Sequence, residues 1–168
     1  MEEIKRLIES PILYKSENVE TRITMTQEEK ELLLKDLCTR LPYRTLAQWH
    51  HKALNKFRDV KIMKISTYGK NIDDYYINVL CQPEPGVDYE ASIVDIKPYL
   101  RPISSMTEEE RNEYFDFRNQ ELQRVAFAEA GRESAIAEIS DWLNSHHFDF
   151  RGLIKNELAL EAPSDMYK

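Results

Sequence analysis

Between Val94 and Glu110 the chain changes structural character within a few residues, and the rest is arranged on either side of that change. Val94-Asp95-Ile96 reads as the end of a strand. Lys97-Pro98-Tyr99-Leu100-Arg101-Pro102 carries two prolines that fix φ and remove N–H donors, so an extended connector is expected. Thr107 then offers a hydroxyl to a helix N-terminus, and Glu110 reaches back to close a capping box. Strand signals precede the connector and helical signals follow it.

A chain of 168 residues has room for one domain, or a domain with an appendage. Only four glycines leave little for linkers or for a phosphate-cradling loop. Cys38 and Cys81 lie far apart with no metal-ligand spacing, so both are expected as reduced, buried thiols in a cytoplasmic protein. The opening Met-Glu-Glu-Ile-Lys-Arg has acids where a secretory signal has bases, and no apolar run reaches the ~20 residues that span a bilayer. No membrane association is expected.

Charge is uneven. Residues 104–168 hold fourteen acids and seven bases, which accounts for the net −7, and the remainder balances at sixteen of each. Between Leu37 and Arg58 there are five bases and no acid. The chain thus combines a basic middle with an acidic tail.

Residues 1–24 read as an N-terminal extension with a short amphipathic helix that stops at Pro11. Residues 25–168 read as one α+β domain. Its first helix, over 26–41, starts on a Thr26–Glu29 capping box and carries an apolar stripe of Leu33, Leu34, Leu37, Cys38 and Leu41. A sheet region covers 44–96. Within it, Arg44 to Arg58 has both helical spacing and a possible strand from Thr45 to His51. Val60 to Ser66, Asp74 to Cys81 and Tyr89 to Ile96 are strands separated by turns near Gly69 and Pro85. A connector over 97–106 leads to a helical region over 107–160. There, Phe115, Leu122, Val125 and Ala126 form the inner side of one helix. Ala135, Ile136, Ile139, Trp142 and Leu143 form the stripe of the next, and Asp149 caps a last one through Leu158. The expected architecture is a small antiparallel sheet, SH3-like and partly curled, packed with three or four helices.

Three blocks carry a resemblance. They are the stretch from Met25 to Tyr43 (MTQEEKELLLKDLCTRLPY), that from Asp95 to Glu110 (DIKPYLRPISSMTEEE), and that from Asp141 to Ile154 (DWLNSHHFDFRGLI) with Leu158 to Pro163. Together they resemble a family of small, uncharacterised proteins carried by phages and prophages of gut bacteria. In that family a strand-rich insert of variable sequence separates the first two blocks, which favours a strand over Thr45 to His51. The chain departs from the pattern in residues 1–24 and at Lys155-Asn156-Glu157, where an acidic-basic-Gly run would be expected. The resemblance implies a phage or mobile-element setting and the host cytoplasm, and supplies no catalytic residues.

His146, His147 and Asp149 are the nearest thing to a metal cluster. Adjacent imidazoles diverge, however, and neither HxH nor HExxH spacing is present. His146, four residues after Trp142, suits the edge of the apolar face instead. No nucleophile elbow or Cys/His pair appears, and no cofactor is expected. The stretch around Arg44, Trp49, His50, Lys52, Lys56 and Arg58, with Tyr43, His51 and Phe57, combines cations with stacking rings. An acidic protein or single-stranded nucleic acid would use that chemistry. The competing reading is a strand and loop whose bases answer the C-terminal acids. A third surface is the acidic helical half from Glu108 to Glu138, which is equally readable as a solvated face. The chain is therefore expected to be a non-catalytic binding module for a host or phage protein, interfering with a bacterial process such as defence. Nucleic-acid binding is the alternative, and metal-dependent hydrolysis a distant one.

Overall fold

A computed structural model describes residues 25–67, 75–81, 88–126 and 131–167. The expectations placed on residues 1–24 and on the turns at 68–71 and 82–86 lie outside the described residues. Among the described residues the fold is mixed α+β, with three α-helices and a mixed sheet. The elements are α1 (Gln27–Arg40), β1 (Leu46–His51), β2 (Lys56–Thr67), β3 (Tyr75–Cys81), β4 (Asp88–Ser92), β5 (Ile96–Pro102), α2 (Glu108–Ala126), α3 (Gly131–Ser145) and the two-residue strands β6 (Phe148–Asp149) and β7 (Leu160–Glu161).

Both capping boxes form. The Thr26 hydroxyl accepts the Glu29 N–H at 3.2 Å and Glu29 accepts the Thr26 N–H at 2.8 Å. Thr107 and Glu110 repeat the exchange at 3.1 and 2.9 Å. Arg101 also grips Glu110 with two hydrogen bonds, at 2.7 and 2.8 Å. The end of β5 is thereby tied to the start of α2.

The sheet runs β4-β3-β2-β1-β5-β6, with β7 also on β5. Pairing from β4 through β5 is antiparallel. β6 and β7 pair with β5 in parallel, so the sheet is not wholly antiparallel as expected. Parallel pairing requires a long crossover. The α2–α3 hairpin supplies it, returning the chain to β5 in β5's own direction.

Prolines do not make 97–102 a mere connector; it is a strand. Its ladder with β1 runs from Trp49–Ile96 to Ala47–Pro98 and stops there, where the ring has no N–H to donate. β7 takes over at Tyr99 and Leu100, and β6 at Arg101 and Pro102. Before it, β4 ends at Ser92 and a 3₁₀ turn over Ile93–Asp95 leads into β5.

α1 lies on the buried side of the sheet. Leu33 and Leu37 pack with Ala47, Trp49, Val60, Ile62, Ile93, Ile96 and Leu100 in one core, which Leu153 and Leu158 complete. Each fully buried Leu, Ile or Val among them contributes about 1.5–3 kcal/mol on burial. The inward face of α1 also holds Asp36 and Arg40, both buried, and this rotates Cys38 out to solvent, contrary to expectation. A second core of Met106, Leu143 and Phe148, with Tyr114, Ile139 and Trp142, joins the α2–α3 hairpin to β6.

Three further expectations are corrected. Phe115 and Leu122 do not face inward but are exposed, because Tyr114 and the residues in line with it turn toward α3; the Tyr114 and Trp142 ring centroids lie 5.3 Å apart. Ile136, assigned to the α3 stripe, is also exposed. No helix follows Asp149. Its carboxylate accepts the N–H groups of Leu153 (2.9 Å) and Ile154 (2.8 Å), and Gly152 (φ +74°) and Glu157 (φ +60°) take left-handed conformations that a helix cannot continue through.

Candidate functional site

The basic-aromatic stretch is divided by strand alternation. In β1 successive side chains leave opposite faces. Trp49 enters the core, only 6 % exposed, with its ring 4.8 Å from that of His51 and 5.6 Å from that of Tyr89. His50 leaves the other face and stacks on Phe57 of β2, at 4.7 Å between centroids and 20° between planes. Trp49 therefore supports the hairpin from within and presents no stacking surface.

The β1–β2 connection is a built tip. A 3₁₀ turn over Lys52–Leu54 is closed by Asn55, whose φ of +46° suits a short polar side chain. The Asn55 N–H donates to the Lys52 carbonyl at 3.1 Å, and the Leu54 N–H donates to His51 Nδ1 at 3.3 Å. His50 Nε2 lies 3.1 Å from Asn55 Oδ1. These local bonds hold the tip while its side chains stay outside: Phe57 is 62 % and Leu54 53 % exposed. Lys52, Lys56 and Arg58 are exposed at the same end of the hairpin, Lys56 and Arg58 leaving β2 on the face opposite Phe57.

Lys52 reaches Asp95 at 2.7 Å. Among the described residues, neither Lys56 nor Arg58 has a carboxylate at ion-pair distance. The adjoining Asp59 is engaged instead by the Tyr99 hydroxyl, which donates to it at 2.8 Å while accepting from Gln48 Nε2 at 3.3 Å. Burial and the neighbouring Asp59 raise the Tyr99 hydroxyl above its ordinary pKa.

Arg44 and Tyr43 do not join this tip. Arg44 (φ +53°) lies at the other end of β1, about 17 Å along the strand, with its N–H on the Leu41 carbonyl. The Tyr43 hydroxyl is pushed up to about 12 by burial and by its hydrogen bond with Asp141.

His146, His147 and Asp149 do not converge. His146 stacks on Trp142 at 3.9 Å with Nδ1 2.9 Å from the Trp142 carbonyl oxygen, as its four-residue spacing suggests. His147 (φ +59°) turns inward, stacking on Tyr167 at 3.7 Å with Nδ1 3.4 Å from the Thr45 hydroxyl. Asp149 is committed to the turn described above. Among the described residues no three His, Cys, Asp or Glu side chains are grouped to hold a metal.

Sequence reasoning missed a buried polar network. Asp36 accepts from Arg40 Nε at 2.6 Å, Arg40 Nη2 at 3.1 Å and Arg151 Nη1 at 2.8 Å; Arg40 Nη2 also donates to the Phe148 carbonyl at 2.8 Å. The i,i+4 spacing of Asp36 and Arg40 was a readable signal of the pair, though not of its burial. Leu54 was missed as well. An apolar residue between Lys52 and Lys56 in a turn was the available clue.

No family model, curated protein or solved structure matches the chain. Among the described residues no helix is long and apolar enough to cross a membrane.

Proposed function

We propose that this chain is a non-catalytic binding protein whose β1–β2 tip docks on a protein surface bearing carboxylates around an apolar recess. The observation that carries the reading is the pair of exposed apolar side chains, Phe57 and Leu54, on a locally braced turn whose end of the hairpin also exposes Lys52, Lys56 and Arg58. An apolar centre with a polar rim is the anatomy of a protein interface, and aromatic anchors dominate such contacts. The resemblance to phage and prophage proteins supports a host or phage protein as the partner, and a role against a bacterial process such as defence. The sheet connectivity supports the finer SH3-like reading: four strands form a meander, and the fifth returns beside the first after a 3₁₀ turn.

The second reading is single-stranded nucleic acid, favoured by the His50–Phe57 stack on a hairpin end that also exposes cations. The net charge of −7 and the burial of Trp49 weigh against it.

Affinity capture from a bacterial extract, with wild type beside Phe57→Ser/Lys56→Glu, tests the proposal. A specific protein held by wild type and depleted about thirtyfold or more with the variant supports it, the scale expected when an anchor ring is truncated. Identical captured sets overturn it. Salt-sensitive binding of a labelled oligonucleotide, lost in Lys56→Ala/Arg58→Ala, would promote the second reading.

A further inference from the structure

We infer that the recess beneath Tyr167 is a binding site for a neutral 4-substituted phenol, filled within the chain by Tyr167 and able to take the same ring from outside once that residue lifts. The site lies at the end of β1 away from the tip and does not depend on the reading given to the tip.

Its polar half is a gap in the sheet. β1 and β5 pair with Gln48 opposite Lys97 and Ala47 opposite Pro98, so the register makes Leu46 and Tyr99 the next partners. A hydroxyl stands between them instead. Tyr167 accepts the Leu46 N–H at 3.2 Å and donates to the Tyr99 carbonyl at 2.9 Å. One donor and one acceptor facing across an opening match a phenol hydroxyl, and a ring without a hydroxyl leaves both unpaired.

The ring is received by the His147 imidazole, on which it lies at 3.7 Å. His147 takes that position through a left-handed backbone (φ +59°). Its N–H on the Asn144 carbonyl (3.1 Å) and its carbonyl on the Arg101 N–H (2.8 Å) fix it there. Backbone of this kind in non-glycine residues collects at ligand sites. Every group that holds the phenol thus belongs to the framework. The segment carrying Tyr167 is lightly held by comparison. Pro163, Ser164 and Asp165 are exposed, and among the described residues the one hydrogen bond made from Pro163 to Met166 is their own turn, from the Met166 N–H to the Pro163 carbonyl (3.0 Å). Tyr167 is itself partly exposed, so the ring enters from solvent.

Thermal melts of the full-length Tyr167→Ala chain with p-cresol test this. At about 5 mM, p-cresol is expected to raise the variant's melting temperature by about 2 °C or more. Toluene at the same concentration, lacking the hydroxyl, is expected to raise it much less, and wild type, whose site is filled, is expected not to respond to p-cresol. Hydrogen exchange at the Leu46 amide locates the effect: p-cresol should slow it in the variant. Should the variant be unfolded alone, p-cresol is expected to restore its circular dichroism spectrum. N-acetyl-tyrosinamide in place of p-cresol separates two sources of the ring. A matching rise assigns the site to tyrosine borne on another chain, and a rise with p-cresol alone assigns it to a free phenol. No response of the variant to either ligand overturns the inference, as does an equal rise with toluene or an equal rise in wild type.

Discussion

The imidazole of His147 lies flat against the phenol ring of Tyr167, with centroids 3.7 Å apart and planes 14° from parallel. The two residues fasten the end of the described chain to the sheet. The Tyr167 hydroxyl donates to the Tyr99 carbonyl at 2.9 Å and accepts the Leu46 N–H at 3.2 Å, which bridges β5 and β1. Burial pushes its pKa up to about 12.

Removing that hydroxyl separates the bridge from the stack. Tyr167→Phe keeps the ring on His147 and strands two polar groups, so a loss of about 1–3 kcal/mol is expected in urea denaturation at neutral pH. A loss within a few tenths of a kcal/mol would show that the hydroxyl does not tie the strands together.

Stability should fall with acid in a window set by His147. Burial lowers its pKa from 6.5 to about 4, and the charges of Arg40, Arg101 and His146 act in the same direction. The unfolded chain takes up the proton near 6.5 while the folded chain refuses it until about 4, so stability is fully present above 6.5 and declines between those values. Across that interval the loss is about 3 kcal/mol. The Gln variant at this position lacks the titration, and the gap between wild type and variant should narrow by that amount from pH 7 to pH 4. A constant gap would contradict the buried neutral imidazole.

Asp36 compensates two arginines in the interior, with Arg40 and Asp36 both fully buried. Asp36→Ala leaves two cations without their carboxylate and is expected to cost about 3–5 kcal/mol. The double change Asp36→Leu/Arg40→Met should cost less than the single one, because no buried Arg40 charge is then left unmatched. Chemical denaturation of the three chains orders them, and the reverse order would refute this account.

Asp149 tests the metal question directly. Its carboxylate closes a turn, so Asp149→Ala is expected to cost about 1–2 kcal/mol, comparable to loss of a helix cap. Neither zinc nor manganese should shift the melting temperature of wild type relative to chelator. A metal-induced rise that Asp149→Ala abolishes would restore the hydrolase alternative.

Local chemistry was the legible part of this fold. Thr26 and Thr107 announced their helices because a hydroxyl and a carboxylate three residues apart satisfy backbone donors without help from the rest of the chain. Asp36 and Arg40 were not legible as core residues, since a charge reads as outward until a partner is known, and Arg151 is far away in sequence. Pro98 and Pro102 argued against a strand because neighbour exchange along β5 is a tertiary event. Phe115 and Leu122 made a correct helical stripe, but periodicity does not say whether anything covers it. At the candidate site the cationic run was plain to see. That Trp49 points in and Phe57 out follows from strand register, which was open between helix and strand until the pairing with β2 decided it.

The most direct test of the central claim is photo-crosslinking from the tip. A benzophenone amino acid replacing Phe57 is compared in bacterial cells with the same residue at the exposed Lys155, on the turn after β6. The account predicts a discrete protein adduct from position 57 and none from 155. Equal adducts from both positions, or none from either, would contradict it.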